Sequence, residues 1–131
     1  MDNTDQVKKE MLDKKVWAVI GVTPNKEKFG YKIYKKLKKH GYTVYGINPK
    51  YEEIEGDKVY TKLKNLPKKP DCINMVVPPT ISKNMLEEIK NLEIPYVWFQ
   101  PGTFDEETID IAESYNLKIV YYDCVLVDLG E

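Results

Sequence analysis

Five short apolar runs, each followed by a polar or amphipathic stretch, constrain this chain more than any other feature. They are "VWAVIGV" (Val16–Val22), "YTVYGIN" (Tyr42–Asn48), "DCINMVV" (Asp71–Val77), "PYVWFQ" (Pro95–Gln100) and "LKIVYY" (Leu117–Tyr122). The first is continuous enough for a strand covered on both faces, and Pro49, Pro78 and Pro79 stop the second and third. After the first run, "YKIYKKLKKHG" puts Ile33, Tyr34 and Leu37 on one stripe with lysines around the rest and Gly41 at its end, the pattern of an amphipathic helix. Thr80 or Ser82 caps a predicted helix that runs to about Asn91, with Ile81, Met85 and Ile89 as the stripe facing the sheet. "DEETIDIAESYN" (Asp105–Asn116) carries Asp105, Glu106 and Glu107 in its first turn, where the helix dipole favours acids. "VYTKLKNLPKKP" (59–70) supports a short helix at most. Strands separated by helices of this length imply right-handed crossovers: an α/β, doubly wound, mainly parallel five-stranded sheet with helices on both faces. Residues 1–14, with a short helix over Thr4–Asp13, form an N-terminal segment ahead of a single domain, 15–131.

Length and charge narrow the function. A chain of 131 residues is about one domain long, and a formal net charge of -1 argues against nucleic acid or an anionic membrane surface as partner. No apolar run approaches the roughly 20 residues of a membrane span, and "MDNTDQVKKEMLDKK" lacks the apolar stretch of a signal peptide, so a cytoplasmic location is expected. The two cysteines, Cys72 and Cys124, lie far apart in a chain with one histidine, His40, which suggests neither a disulfide framework nor a metal site. Cys72 starts a strand and reads as core.

Open parallel sheets bind ligands beyond the carboxyl ends of their strands. Those ends are "GVTPNK", "NPK", "VPPT", "QPGTF" and "DCV". None pairs a nucleophile with a histidine, so no catalytic residue is assigned. The first has Gly21 for a turn, Thr23 and Asn25 as polar side chains, and loop amides ahead of a helix, the elements of a phosphate site. It lacks the G-x-G-x-x-G spacing of dinucleotide loops, since only Gly21 and Gly30 are present. Taken alone, it is equally well read as a plain β–α connection. After the second strand, where a nicotinamide-dinucleotide domain places an acid for the ribose hydroxyls, stands Lys50, which suits a ligand with additional phosphates.

Together these strand ends resemble the small stand-alone CoA-binding proteins, which are similar to the CoA-binding domain of the succinyl-CoA synthetase alpha subunit. The resemblance covers Val16 to Asp128 and rests on Thr23-Pro24-Asn25, Lys28, Gly30 and Tyr31 in the first loop, and on Asn48-Pro49-Lys50, Val77-Pro78-Pro79, Trp98, Gly102 and Asp123-Cys124. Phe29 stands where the short proteins often carry Pro, and Thr23 where they carry Ser. The resemblance implies a Rossmann-like domain holding coenzyme A or an acyl-CoA. Gly21, Val22, Thr23, Pro24, Asn25 and Lys26 would form the phosphate-facing loop, Lys50 would contact the nucleotide phosphates, Val77 and Pro78 would flank adenine, and Phe99, Gln100 and Pro101 would lie along the ligand. Lys28, and less so Lys32, would help to hold the 3′-phosphate. The synthetase's phosphohistidine and nucleotide-grasping domains have no counterpart here, so ligase activity does not carry over.

Several alternatives stay open. Cys124 is either a small core residue or a thiol that meets the pantetheine end as a mixed disulfide, with Asp123 beside it raising its pKa. Tyr121, Tyr122 and Trp98 are packing residues or a stacking surface for adenine. The chain as a whole is a non-catalytic binding module, an NAD(P)-binding oxidoreductase or redox-sensing module, or a regulatory subunit that works through its surface. A homo-oligomer and a protein partner are both compatible with it.

Overall fold

The computed structural model describes residues 4–121 and 123–129. Tyr122, the last residue of the fifth predicted strand, lies outside the described residues. The expected strands are present as β1 (Val16–Ile20), β2 (Thr43–Ile47), β5 (Cys72–Met75), β6 (Tyr96–Phe99) and β7 (Lys118–Val120). Two more were not anticipated, β3 (Glu53–Ile54) and β4 (Asp57–Tyr60), so the sheet has seven strands rather than five, in the order β3-β4-β2-β1-β5-β6-β7. All pairings are parallel except that of β3 with β4. This pair is a hairpin turned at Glu55 (φ 49°) and Gly56 (φ 89°), both in the left-handed region as a two-residue hairpin turn requires. Its strands are too short and too charged to register as apolar runs, and only the pairing of Val59 with Gly46 and of Tyr60 with Ile47 makes β4 part of the sheet. The segment 59–70 is therefore mostly strand end and loop, with one 3-10 turn at Leu63–Asn65.

Helices cover both faces, as the pattern predicts. α1 (Thr4–Leu12), α2 (Phe29–Lys39) and a short α5 (Val125–Leu129) pack on the face formed by Trp17, Val19, Cys72, Tyr96, Trp98 and Val120. α3 (Pro79–Asn91) and α4 (Glu106–Ser114) pack on the face formed by Ala18, Ile20, Ile73, Met75, Val97 and Phe99. Cys72 is fully buried, which pushes its thiol pKa up and leaves it a core residue. No helix among the described residues is long and apolar enough to cross a membrane.

α3 departs from the sequence reading in two ways. It starts at Pro79, with Pro78 as its cap residue, because proline at the first helical position sacrifices only an N–H that has no helical partner anyway. Neither Thr80 nor Ser82 caps it, and the Ser82 hydroxyl instead donates to the Val77 carbonyl (3.3 Å). The buried stripe is Ser82, Leu86 and Ile89 rather than Ile81, Met85 and Ile89, so Ile81 is 46% exposed and Met85 is half-buried on the flank. α4 keeps Glu106 and Glu107 in its first turn as predicted, but Asp105 precedes that turn as the cap residue, its carboxylate accepting from the Thr108 amide (2.8 Å) in a reciprocal capping box.

Two carboxyls are held near pKa 2 by their hydrogen bonds. For Glu10 the donors are Gln6 and Tyr96, with Lys118 beside them; for Asp105 they are Thr108 and Lys83. Both values lie below the ordinary 4.5 and 3.8, so the unfolded chain binds more protons than the folded one as the pH falls. Stability is thus fully present above about pH 5 and drains away toward pH 2. The urea midpoint is expected to hold between about pH 7 and 5 and to fall below that, with a shallower fall in Glu10→Gln and Asp105→Asn. A midpoint that stays flat down to about pH 2.5 would contradict this assignment.

Candidate functional site

The strand order reverses between β1 and β5: the chain leaves β1 through α2 on one face and β5 through α3 on the other. A crevice must open there, at the carboxyl ends of the strands. The groove found at that place has a volume of about 370 Å³, within the range of small-molecule sites. Its floor is Ile20, Gly21 and Ile47; one wall is Asn48, Pro49, Lys50 and Thr61, and the other is Val77, Pro78, Ile81 and Met85.

Two glycines shape the β1 end. Gly21 has φ +104°, and a methyl group there would press on Val77 and the Val76 carbonyl. A methyl group at Gly30, in the first turn of α2, would fall on the Gly21 carbonyl oxygen. The helix can start beside the strand end only because position 30 has no side chain.

The loop between these glycines is braced from inside. The Asn25 amide donates to the Thr23 hydroxyl (3.2 Å), and the Glu27 amide to the Asn25 side-chain oxygen (3.0 Å). Both polar side chains therefore serve first as turn supports. From β2, the Asn48 side-chain nitrogen donates to the Val22 carbonyl (2.9 Å) and its oxygen accepts from the Lys50 amide (2.9 Å). Asn48 thus clamps the first loop to the Lys50 turn. Among the described residues, the amides of Val22, Thr23 and Lys26 have no protein acceptor, which leaves unpartnered donors in a loop that also carries Lys26 and Lys28.

The groove brings together Gly21, Asn48, Pro49, Lys50, Val77 and Pro78 of the residues singled out from the sequence. Pro79 starts α3 behind them. The residues at the end of β6 lie beyond β5. Phe99 is wholly buried, edge-on to Phe104. Gln100 is also buried; its nitrogen donates to Asn74 (2.8 Å) and its oxygen accepts from the Val125 amide (3.2 Å), so it joins β5, β6 and α5. The other side-chain donor, Asn74 Nδ2, is buried without a partner among the described residues. Pro101 and Gly102 are exposed at the turn, while Cys124 is half-buried just ahead of α5. Asp123 is occupied elsewhere: its carboxylate pairs with Lys8 of α1 (2.8 Å) and its carbonyl accepts from the Trp98 indole (2.9 Å). Trp98 is fully buried and Tyr121 sits edge-on to Phe104, both as packing residues.

Sequence reasoning missed Thr61, Ile81 and Met85 as groove residues. Thr61 follows β4, a strand too short to see, and the sequence pattern assigns the other two to the core by making Ile81, Met85 and Ile89 the sheet-facing stripe in place of Ser82, Leu86 and Ile89. The available signal was Leu86, which with Ser82 and Ile89 makes a second stripe one position round the helix.

Residues 15–130 match the family model described as a CoA binding domain. The chain belongs to this family. Among other CoA-binding domain relatives, it is 33% identical over 121 residues to the ADP-forming acetate–CoA ligase I of Archaeoglobus fulgidus; the match takes in 85% of this chain and 18% of the ligase. It thus spans about a fifth of that relative's length. By contrast, the match to the protein YneT of Bacillus subtilis, 24% identical, takes in 91% of this chain and 89% of YneT. A conserved hypothetical protein of Pyrococcus furiosus has the same fold, with a TM-score of 0.81 and 35% identity over 88% of this chain and 98% of its own.

Two substitutions test this construction. Gly30→Ala must push α2 off the Gly21 carbonyl and is expected to cost about 2–3 kcal/mol in denaturant unfolding; a loss below about 0.5 kcal/mol would mean that the contact is slack. Asn48→Ala removes one part-buried and one exposed hydrogen bond and is expected to cost about 1 kcal/mol, with faster amide exchange at Lys50 as the local readout.

Proposed function

We propose that this chain binds coenzyme A or an acyl-CoA in the β1/β5 groove, as a stand-alone module without catalysis of its own. The observation that carries the reading is the juxtaposition of an apolar groove with unpartnered loop amides and Lys50, in a chain of the CoA-binding family. The adenosine end lies between Pro49 and the Val77–Pro78 wall, extended by Ile81 and Met85. The pyrophosphate takes the free amides of the Val22–Lys26 loop at the α2 N-terminus. Lys50, Lys26 and Lys28 supply charge to the phosphates, and the pantetheine arm runs across β5 toward Gln100–Gly102 and Cys124.

The binding unit is residues 15–131, to which residues 1–14 are an appendage; the start of the family match at residue 15 supports this division. The relatives that are ligases are much longer proteins, so the acyl-transfer chemistry they are named for needs parts that this segment does not supply. Lys50 in place of an acid at the β2 end disfavours NAD.

A thermal-shift panel tests the proposal, because a ligand that binds only the native state raises its melting temperature, by about 2.7 kcal/mol of stability at a hundredfold excess over Kd. CoA and acetyl-CoA are expected to stabilise the chain, dephospho-CoA less so, and NADH and NADPH not at all. Stabilisation by NADH and not by CoA overturns the reading. Lys50→Ala is expected to weaken CoA binding about tenfold, or ~1.4 kcal/mol, and to reduce its salt dependence; unchanged affinity would remove Lys50 from the phosphate site.

A further inference from the structure

Two helices on opposite faces of the sheet carry unpaired charge of opposite sign at the same spacing. On α2, Lys35 and Lys38 are engaged by Glu55 and Asp57 of the hairpin. Lys32, Lys36 and Lys39, at i, i+4 and i+7, have no carboxylate partner among the described residues. They line a groove of about 810 Å³ against Leu126 of α5. On α4, Asp105 and Glu107 are engaged by Lys83. Glu106, Asp110 and Glu113, again at i, i+4 and i+7, have no cationic partner among the described residues and line a second groove of about 510 Å³ with Phe104, Ile109 and Tyr121. α2 belongs to one packing layer and α4 to the other, so the two rows cannot meet within one chain.

We infer that the lysine row of one copy docks on the acidic row of the next, head to tail. Each row advances seven residues, about 10.5 Å of helix, so Lys32, Lys36 and Lys39 meet Glu106, Asp110 and Glu113 one to one when the helices run parallel. Apolar surface accompanies the charge on both sides: Leu126 in the first groove with Val127, 78% exposed, beside it in sequence, and the half-buried Phe104 and Tyr121 in the second. The partner is a second copy because the chain supplies both halves of the match and is almost neutral as a whole. Because two different patches meet, the product is an open row or a ring and not a two-fold dimer. Exposed ion pairs are individually weak and screened by salt, so the assembly is concentration-dependent and dissolves as ionic strength rises. None of this requires the ligand groove to be filled.

Sedimentation velocity of the full chain tests the inference at about 20 mM and 500 mM salt. At low salt the average mass is expected to rise with protein concentration; at high salt it returns to that of one chain. Lys36→Glu/Lys39→Glu destroys one patch and Asp110→Asn/Glu113→Gln the other, so each variant alone sediments as a single chain. Mixed in equal amounts, they are expected to form a two-chain complex and nothing larger, since each retains only one half of the contact. A wild-type chain that stays single at low salt, or an assembly that survives either variant, overturns the inference. Circular dichroism melts identify a misfolded variant, in which case single Lys39→Glu and Glu113→Gln replacements serve for the same mixing experiment.

Discussion

The approach of α2 to the end of β1 is the constraint on which the rest of the structure depends. The Gly21 carbonyl occupies the space that a side chain at position 30 would need. Everything between those residues must therefore leave the sheet and return within a fixed gap. In a G-x-G-x-x-G turn the return is immediate and backbone hugs the ligand. Here eight residues separate the two glycines, and the extra length is stiffened by Thr23 and Asn25 acting on neighbouring amides. The contact between strand end and helix start is kept while a wider, donor-rich loop replaces the tight one.

A wider loop would wander if its only support were internal. Asn48 supplies the external one, because its two amide atoms reach the Val22 carbonyl and the Lys50 amide at once. The β2 end is itself pinned: the Asn48 amide donates to the Tyr60 carbonyl (2.9 Å) and the Val59 amide to the Glu52 carbonyl (2.9 Å). Lys50 thus projects from a turn held on both sides by β4. On the far side of the crevice, Gln100 plays a comparable part by joining Asn74 to the Val125 amide across the buried ends of β5 and β6. Side-chain amides, rather than charges, tie the strand ends together, which leaves the lysines at the rim free to meet anions.

Much of this was legible in the residues. The apolar runs located β1, β2, β5, β6 and β7, because a strand covered on both faces has to be apolar nearly throughout. The stop at Gly41, where φ is +92°, and the acids Glu106 and Glu107 in the first turn of α4 follow from local chemistry and appear as read, whereas Asp105 is the cap of that helix and not part of its first turn. What failed depended on contacts distant in sequence. "EEIEGDKVY" is charged and short, and only pairing with β2 makes it a strand. In α3 the sets Ile81, Met85, Ile89 and Ser82, Leu86, Ile89 are both helical stripes, lying next to each other round the helix, and only packing against the sheet decides that the second is buried. Ile81 and Met85 consequently moved from the predicted core to the groove wall. Phe99 and Gln100 moved the other way, into the interior, since the sheet continues past them to β7 and α5 closes over one face.

The unanticipated hairpin explains a further feature of α2, namely why its lysines divide into two kinds. Glu55, at the hairpin turn, takes Lys35 and the Tyr31 hydroxyl; Asp57, one residue beyond Gly56, takes Lys38 and the Tyr34 hydroxyl. Burial and the neighbouring Asp57 push the Tyr34 hydroxyl pKa up, so it remains a donor throughout the physiological range. These four residues form one edge of the helix, and the acids that meet them come from a strand pair whose only sheet contact is β2. Such a hairpin would be marginal by itself. Latched to α2, it covers the β2 edge of the sheet, fixes the backbone on which Thr61 and the Lys50 turn are built, and holds Glu55 in the left-handed region at its tip. The helix that closes the β1–α2 loop at its N-terminus thereby also anchors the opposite wall of the groove, so both sides of the crevice are set by a single element.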